Sequence, residues 1–167
     1  MDLRELYLNG MSYEEYLNSK GEAEKLKSEK VYNELNVKEE NIERIKAVNR
    51  EINILAFAEI WCPDCIINVP ALKKISKVNS LIQFTIIGRE GNEVYLEDYK
   101  EEGKAKVPTF IVMNSCYEVL GAFIERPRVI KDIEVCGDQV KVIVEKRNYR
   151  AGKYINECIE EILDIIS

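Results

Sequence analysis

The chain contains no histidine. That removes the commonest general base near neutral pH and the commonest metal ligand, so Ser-His or Cys-His nucleophile pairs and imidazole metal sites are excluded. Only one tryptophan and four prolines occur in 167 residues. Nowhere does the sequence hold the roughly 18 uncharged apolar residues of a membrane-spanning helix, and its first 30 residues lack the apolar core of a secretion signal. Basic residues are in deficit, 24 against 30 acidic, for a net charge of −6. That balance favours solubility and disfavours a long nucleic-acid groove, so neither nucleic acid nor membrane is expected as a partner. The five cysteines are odd in number, and Cys116, Cys136 and Cys158 stand far apart, a poor disulfide framework for a secreted protein. The expected location is the cytoplasm, a reducing compartment, with one close pair of thiols kept for chemistry.

What is present suits a single domain of ordinary core content, 46% hydrophobic. Residues 1–50 are charged, and Ser12 with Glu15 forms a capping-box pattern. Leu26, Val31 and Leu35 fall near helical spacing in 22–35, and Ile42, Ile45 and Val48 repeat the pattern in 38–50. Two or three short helices follow, with narrow apolar stripes that must dock on something larger or serve as a partner surface. The texture changes at 52–58, INILAFA, an apolar run of strand length suited to cover on both faces, and 81–87 reads the same way. Between them 65–78 has helical spacing, so strand, helix and strand imply a right-handed crossover and a parallel pair. A helix over about 93–102 is expected to stop at Gly103. VPTFIVM and YEVLGAF, joined through Asn114 and Ser115, predict an antiparallel hairpin at the sheet edge, and 151–166 an amphipathic helix. Residues 125–150 admit either state, since Val140, Val142 and Val144 alternate like a strand while the flanking charges tolerate a helix.

Residues 58–70 read AEIWCPDCIINVP. A Cys-X-X-Cys pair is either half of a zinc site or a redox couple. Zinc needs four ligands, and Cys116, Cys136 and Cys158 would have to converge from separate elements to complete the set. The pair instead follows a strand and opens a helix, the context of a redox motif. The first turn of a helix presents unpaired N–H groups and the positive end of the macrodipole, which stabilise a thiolate. Cys62 at that turn is the candidate nucleophile: lowering its pKa from about 8.5 to about 7 makes roughly half of it reactive at neutral pH. Cys65, one turn later and deeper, is the candidate resolving thiol. Pro63 fits a first helical position, where its missing N–H costs nothing. Trp61 either shields the sulfurs and offers substrate an apolar rim, or anchors the strand end. Asp64 either raises the Cys62 pKa and makes the pair more reducing, or points into water where its effect is screened.

These residues resemble the thioredoxin family. FAEIWCPDC stands where that family has a strand followed by Trp-Cys-Gly-Pro-Cys, and VPTFIVM, with Pro108 forty-six residues after Cys62, resembles its Val/Ile-Pro-Thr segment. The resemblance spans about 51–167, with Gly121 matching a glycine of the last hairpin. It implies an α/β thioredoxin fold, a central mixed sheet flanked by helices, in 51–167, and a helical extension packed on it in 1–50. It also implies that Pro108 is cis beside the dithiol, that Val107 pairs with a bound peptide, and that the protein serves cell redox homeostasis. GMSYEEYLNS and ERPR further resemble a bacterial thioredoxin-like branch with a helical N-terminal segment, which tips 127–150 toward helix. Two departures stand out. The family's buried aspartate six residues before the first cysteine is Ala56 here, leaving Glu59 as a substitute proton acceptor or an exposed strand-end carboxylate. Proline directly after the first cysteine resembles glutaredoxins, without a clear glutathione signature. Arg89 either adds positive potential near the sulfurs or is a solvated loop residue.

The resulting expectation is a cytosolic thiol:disulfide oxidoreductase that reduces protein disulfides through Cys62 and Cys65. It needs no metal and no organic cofactor and draws electrons from a reductase or a thiol pool. The alternative is a thioredoxin-fold binding module or redox sensor with a specific partner and little turnover.

Overall fold

In the computed structural model, which describes residues 2–167, the 52–58 run forms β1 (Ile52–Phe57), and all six of its side chains are buried. Burial of that order stabilises by roughly 1.5–3 kcal/mol per large aliphatic side chain, so this strand is the axis of the core. It pairs in parallel with β2 (Ile82–Ile87), Ile52 opposite Ile82, through the crossover helix α5 (Pro63–Val78). On its other side it pairs antiparallel with β3 (Thr109–Asn114), which turns into β4 (Val119–Ile124). The sheet order is β2-β1-β3-β4, mixed and four-stranded. Asn114 holds the hairpin turn, its side-chain oxygen accepting from the backbone N–H groups of Cys116 and Glu118 at 2.8 and 3.0 Å.

The first 50 residues contribute α1 (Leu3–Leu8), α2 (Tyr13–Leu17), α3 (Glu22–Glu34) and α4 (Glu39–Ala47). The Ser12 and Glu15 capping box is present at α2. Leu6, Tyr13, Tyr16, Leu17 and Ile45 join the same hydrophobic core as the sheet. Val31 and Leu35 pack against that core, whereas Leu26 is 55% exposed, so the apolar stripe of α3 is narrower than its spacing suggested. Beyond the hairpin come α6 (Arg128–Glu134), α7 (Gln139–Arg150) and α8 (Ile155–Ile166). α8 packs on α5, α4 and the β3–β4 hairpin. It approaches β4 so closely that a Cβ on Gly121 would lie 3.0 Å from the Ile165 side chain.

Three expectations change. The 81–87 strand is not covered on both faces: β2 is an edge strand, Gln83 is exposed, and Leu81 lies outside it at 41% exposure. Met11 bridges antiparallel to Ile86 and satisfies part of that edge. The 93–102 helix is a 3-10 segment, Glu93–Tyr99, burying only Leu96; one buried side chain leaves little to drive a longer α-helix. Gly103 is no helix stop but sits with φ +73° in the Glu101–Lys104 turn, next to Glu102 at φ +51°. Residues 127–150 are mostly helical, as the resemblance implied: the alternating valines lie on α7, where helical geometry turns Val142 inward and leaves Val140 and Val144 exposed. The last helix starts at Ile155 rather than 151, because Gly152, at φ +81°, breaks the chain direction between α7 and α8.

Candidate active site

β1 delivers the chain through residues 58–61 to α5, where Cys62 is the N-cap, with extended backbone, and Pro63 is the first helical residue. The two cysteines of the motif lie close together as free thiols, Cys62 8% exposed and Cys65 fully buried. Their environments push them apart. The Cys62 thiol is lowered to about 7, first because the Cys65 S–H donates to its sulfur. Burial opposes this, the Cys65 and Asp64 backbone N–H groups assist it, and the Asp64 carboxylate opposes it least of all. Cys65 is pushed well above the ordinary thiol range by burial and then by its neighbour Cys62, although the Glu59 N–H donates to its sulfur at 3.4 Å. One sulfur is thus poised as an anion at neutral pH while the other keeps its proton. When protonated, Cys62 Sγ donates to the Val107 carbonyl, 3.6 Å away.

Val107 and Pro108 lead into β3, and the peptide bond between them is cis. Both residues are buried, whereas Trp61 is 51% exposed and Pro63 is exposed. The Cys62–Val107 contact thus joins the segment that carries Trp61, Cys62, Pro63 and Cys65 to the Val107–Pro108 turn. Ala56 is fully buried in β1 and brings no acid. The nearest carboxylate along the chain, Glu59, is half-buried, and its Oε1 accepts from the Arg89 backbone N–H at 2.9 Å. Arg89 itself donates through Nη1 to the Ala105 carbonyl at 3.3 Å, which ties its guanidinium to the loop before Val107.

Asp64 does not point into water. Its Oδ1 accepts from the Tyr149 hydroxyl at 2.8 Å, and its Oδ2 lies 3.6 Å from Arg126 Nη2. Burial works against the Arg126 charge, but Asp64, Glu125 and Glu134 outweigh it and push its pKa up. Asn68, buried on α5, places its amide nitrogen 2.8 Å from the Tyr149 hydroxyl and 3.2 Å from the Glu125 carbonyl. Sequence reasoning missed Tyr149 and Asn68 altogether and saw Arg126 only within ERPR, without a role. No local pattern names these residues as partners of Asp64, since Tyr149 lies 85 positions away from it.

Tyr16 of α2 was missed as well. Its ring is buried and its hydroxyl has no hydrogen-bond partner among the described residues. Burial raises its pKa, followed by the charges of Cys65 and Cys62, so the phenol stands in the electrostatic neighbourhood of both sulfurs. No cluster of three or more Cys, Asp or Glu able to hold a metal exists among the described residues, and no helix there is long and apolar enough to cross a membrane.

A mixed sheet of this order with a dithiol at the N-terminus of its crossover helix defines a thioredoxin-fold dithiol protein. A thioredoxin family model matches residues 10–143, and the chain belongs to that family. Among solved structures it is similar to a Pseudomonas aeruginosa protein of unknown function, with 25% identity, a TM-score of 0.87, and 99% of this chain and 97% of that one covered. It is also similar to an HIV epitope-scaffold, with 24% identity, a TM-score of 0.87, and coverage of 99% and 98%. No curated protein matches.

Proposed function

We propose that the protein is a cytosolic thiol:disulfide oxidoreductase that reduces disulfides in protein substrates. The observation that carries this reading is the split between two neighbouring sulfurs, one lowered to about 7 and one held as a thiol in the core. The Cys62 thiolate attacks a substrate disulfide, forming a mixed disulfide and releasing one substrate thiolate, which takes a proton from water. Cys65 then loses its proton and attacks Cys62 Sγ. The second substrate thiolate leaves, and the two electrons that reduced the substrate come from the pair, now a disulfide. A separate reductase or thiol pool restores the dithiol. Glu59, the nearest acid to Ala56 along the chain and the residue whose backbone N–H meets the Cys65 sulfur, is the proposed acceptor for its proton in place of the missing residue at Ala56. Trp61, Pro63, Val107 and Pro108 form the substrate rim, and Asp64 tunes the nucleophile. No metal or organic cofactor takes part.

The test is reduction of insulin by dithiothreitol with the protein as catalyst. Turnover above the dithiothreitol background, lost in Cys62→Ser, supports the reading; equal rates for the two proteins overturn it. Ala56 favours a second reading, since a pair without the family's buried acid resolves slowly and can serve a redox-sensing module. That reading requires partner capture that changes with redox state, and no turnover.

A further inference from the structure

Beside the dithiol, between α3 and the α7–α8 junction, lies a cavity of about 710 Å³ that ends at Trp61 and Pro63. Its apolar lining comes from Val31 of α3 and Leu35 at its C-terminal cap, Ile66 of α5 and Ile155 of α8. Its charge is one-sided: Lys27, Lys30, Arg150 and Lys153 line it against a single carboxylate, Glu34. All four cations are exposed, and none of them is ion-paired among the described residues. In a chain of net charge −6, a basic rim free of ion pairs over an apolar floor, with only Lys153 held by the Asn148 side-chain oxygen, is a local reversal of the molecule's own field. Such a reversal attracts a partner of opposite sign and orients its approach.

The geometry points to this groove as the docking site for the acidic segment of a polypeptide substrate. Carboxylates of that segment face Lys27 and Lys30 on one wall and Arg150 and Lys153 on the other. Apolar side chains between them fill the floor, and the substrate cysteine lies at Cys62, just past Trp61. The volume falls within the range of about 300–1,000 Å³ that seats a ligand the size of a few residues. This inference rests on the oxidoreductase reading for its reaction but not for its binding. α3 supplies one wall, so residues 1–50 take part in choosing the substrate.

Three short peptides test it, identical except that glutamate, glutamine or lysine flanks one cysteine among leucines, each blocked as a mixed disulfide with thionitrobenzoate. Release of thionitrobenzoate by the reduced full-length protein, corrected for Cys62→Ser, is followed at low ionic strength. It is followed again near 1 M salt, where screening acts over about 3 Å. The glutamate peptide should react about tenfold faster than the lysine peptide at low salt, with the ratio collapsing at high salt. In the double variant Lys30→Glu, Arg150→Glu the ratio should invert. A second readout needs no turnover: Trp61 is the only tryptophan, so its fluorescence reports seating of the same peptides with serine in place of cysteine. A Trp61 response to the glutamate peptide and not to the lysine peptide supports the groove even where no peptide is reduced, and that outcome sinks the oxidoreductase reading alone. Equal reduction of all three peptides, with no charge-dependent Trp61 response, overturns the groove and leaves the oxidoreductase reading standing.

Discussion

The strand-helix-strand centre and the helices around it act on the same two sulfurs by different means. The centre works through backbone and thiols: an N-cap position, two N–H groups and the Cys65 S–H lower Cys62, while the core raises Cys65. The surrounding helices work through side chains that arrive from far along the chain, Tyr16 from α2, Tyr149 from α7 and Arg126 from just before α6. Local geometry therefore makes the nucleophile, and distant residues adjust what surrounds it. If that division holds, variants at the centre should change reactivity by orders of magnitude and variants in the surrounding helices by small factors.

The largest effect belongs to Cys65→Ala. It removes the leading cause of the lowered Cys62 pKa. Iodoacetamide alkylation of Cys62 should rise with pH in the unmodified protein through a midpoint of about 7, because the thiol is protonated below it and a thiolate above it. In the variant the midpoint moves up, and each unit costs about tenfold in thiolate at pH 6. An unmoved midpoint would mean that the helix N-terminus alone activates Cys62, and the account of the pair would be wrong.

Next in size is the clamp on Asp64. Its carboxylate opposes the Cys62 thiolate, and Arg126 and Tyr149 hold it. Asp64→Asn should lower the Cys62 midpoint and make the protein less reducing, a change of a few-fold in thiolate at fixed pH. Arg126→Gln should do the reverse, since it leaves the carboxylate without its nearest cation. The two belong to one network, so the shift caused by Arg126→Gln should largely vanish in the Asp64→Asn background. Additive shifts would show that Arg126 acts on the fold and not through Asp64. Thiol titration decides this, because a loss of packing alone does not move it in opposite directions.

The same division explains what could be read in advance. α5 and α8 announce themselves by period, β1 and the hairpin by short apolar runs and a turn, and the dithiol by its place between a strand and a helix. The edge position of β2 was hidden, because an apolar run does not reveal how many neighbours a strand has in its sheet, and only the sheet order shows it. α7 was ambiguous for a related reason: Val140, Val142 and Val144 fit a period of two, and packing of Val142 and Tyr149 against Ile67, Ile130 and Ile133 selects the helix. Tyr16, Tyr149 and Arg126 were illegible as site residues. Tyr149 and Arg126 meet Asp64 across long sequence separations and Tyr16 lies in the electrostatic neighbourhood of the sulfurs, while a tyrosine on a helix reads equally well as core.

The smallest effect is also the sharpest comparison between the two flanks, because each sends one buried tyrosine toward the site. Tyr149 donates to Asp64 and receives from Asn68. Tyr149→Phe removes a hydrogen bond to a charged group, so chemical denaturation should show a loss of about 1.5–3 kcal/mol. Tyr16 has no hydrogen-bond partner for its hydroxyl among the described residues. Replacing it by phenylalanine deletes a buried polar group without breaking a bond, and that is neutral or slightly stabilising. Tyr16→Phe should therefore leave the denaturation midpoint unchanged or raised, with the Cys62 titration shifted less than by Asp64→Asn. A loss as large as that of Tyr149→Phe would mean that the α2 hydroxyl is bonded at the dithiol in solution. The N-terminal helices would then belong with the activating groups of the centre instead of forming an apolar wall beside them.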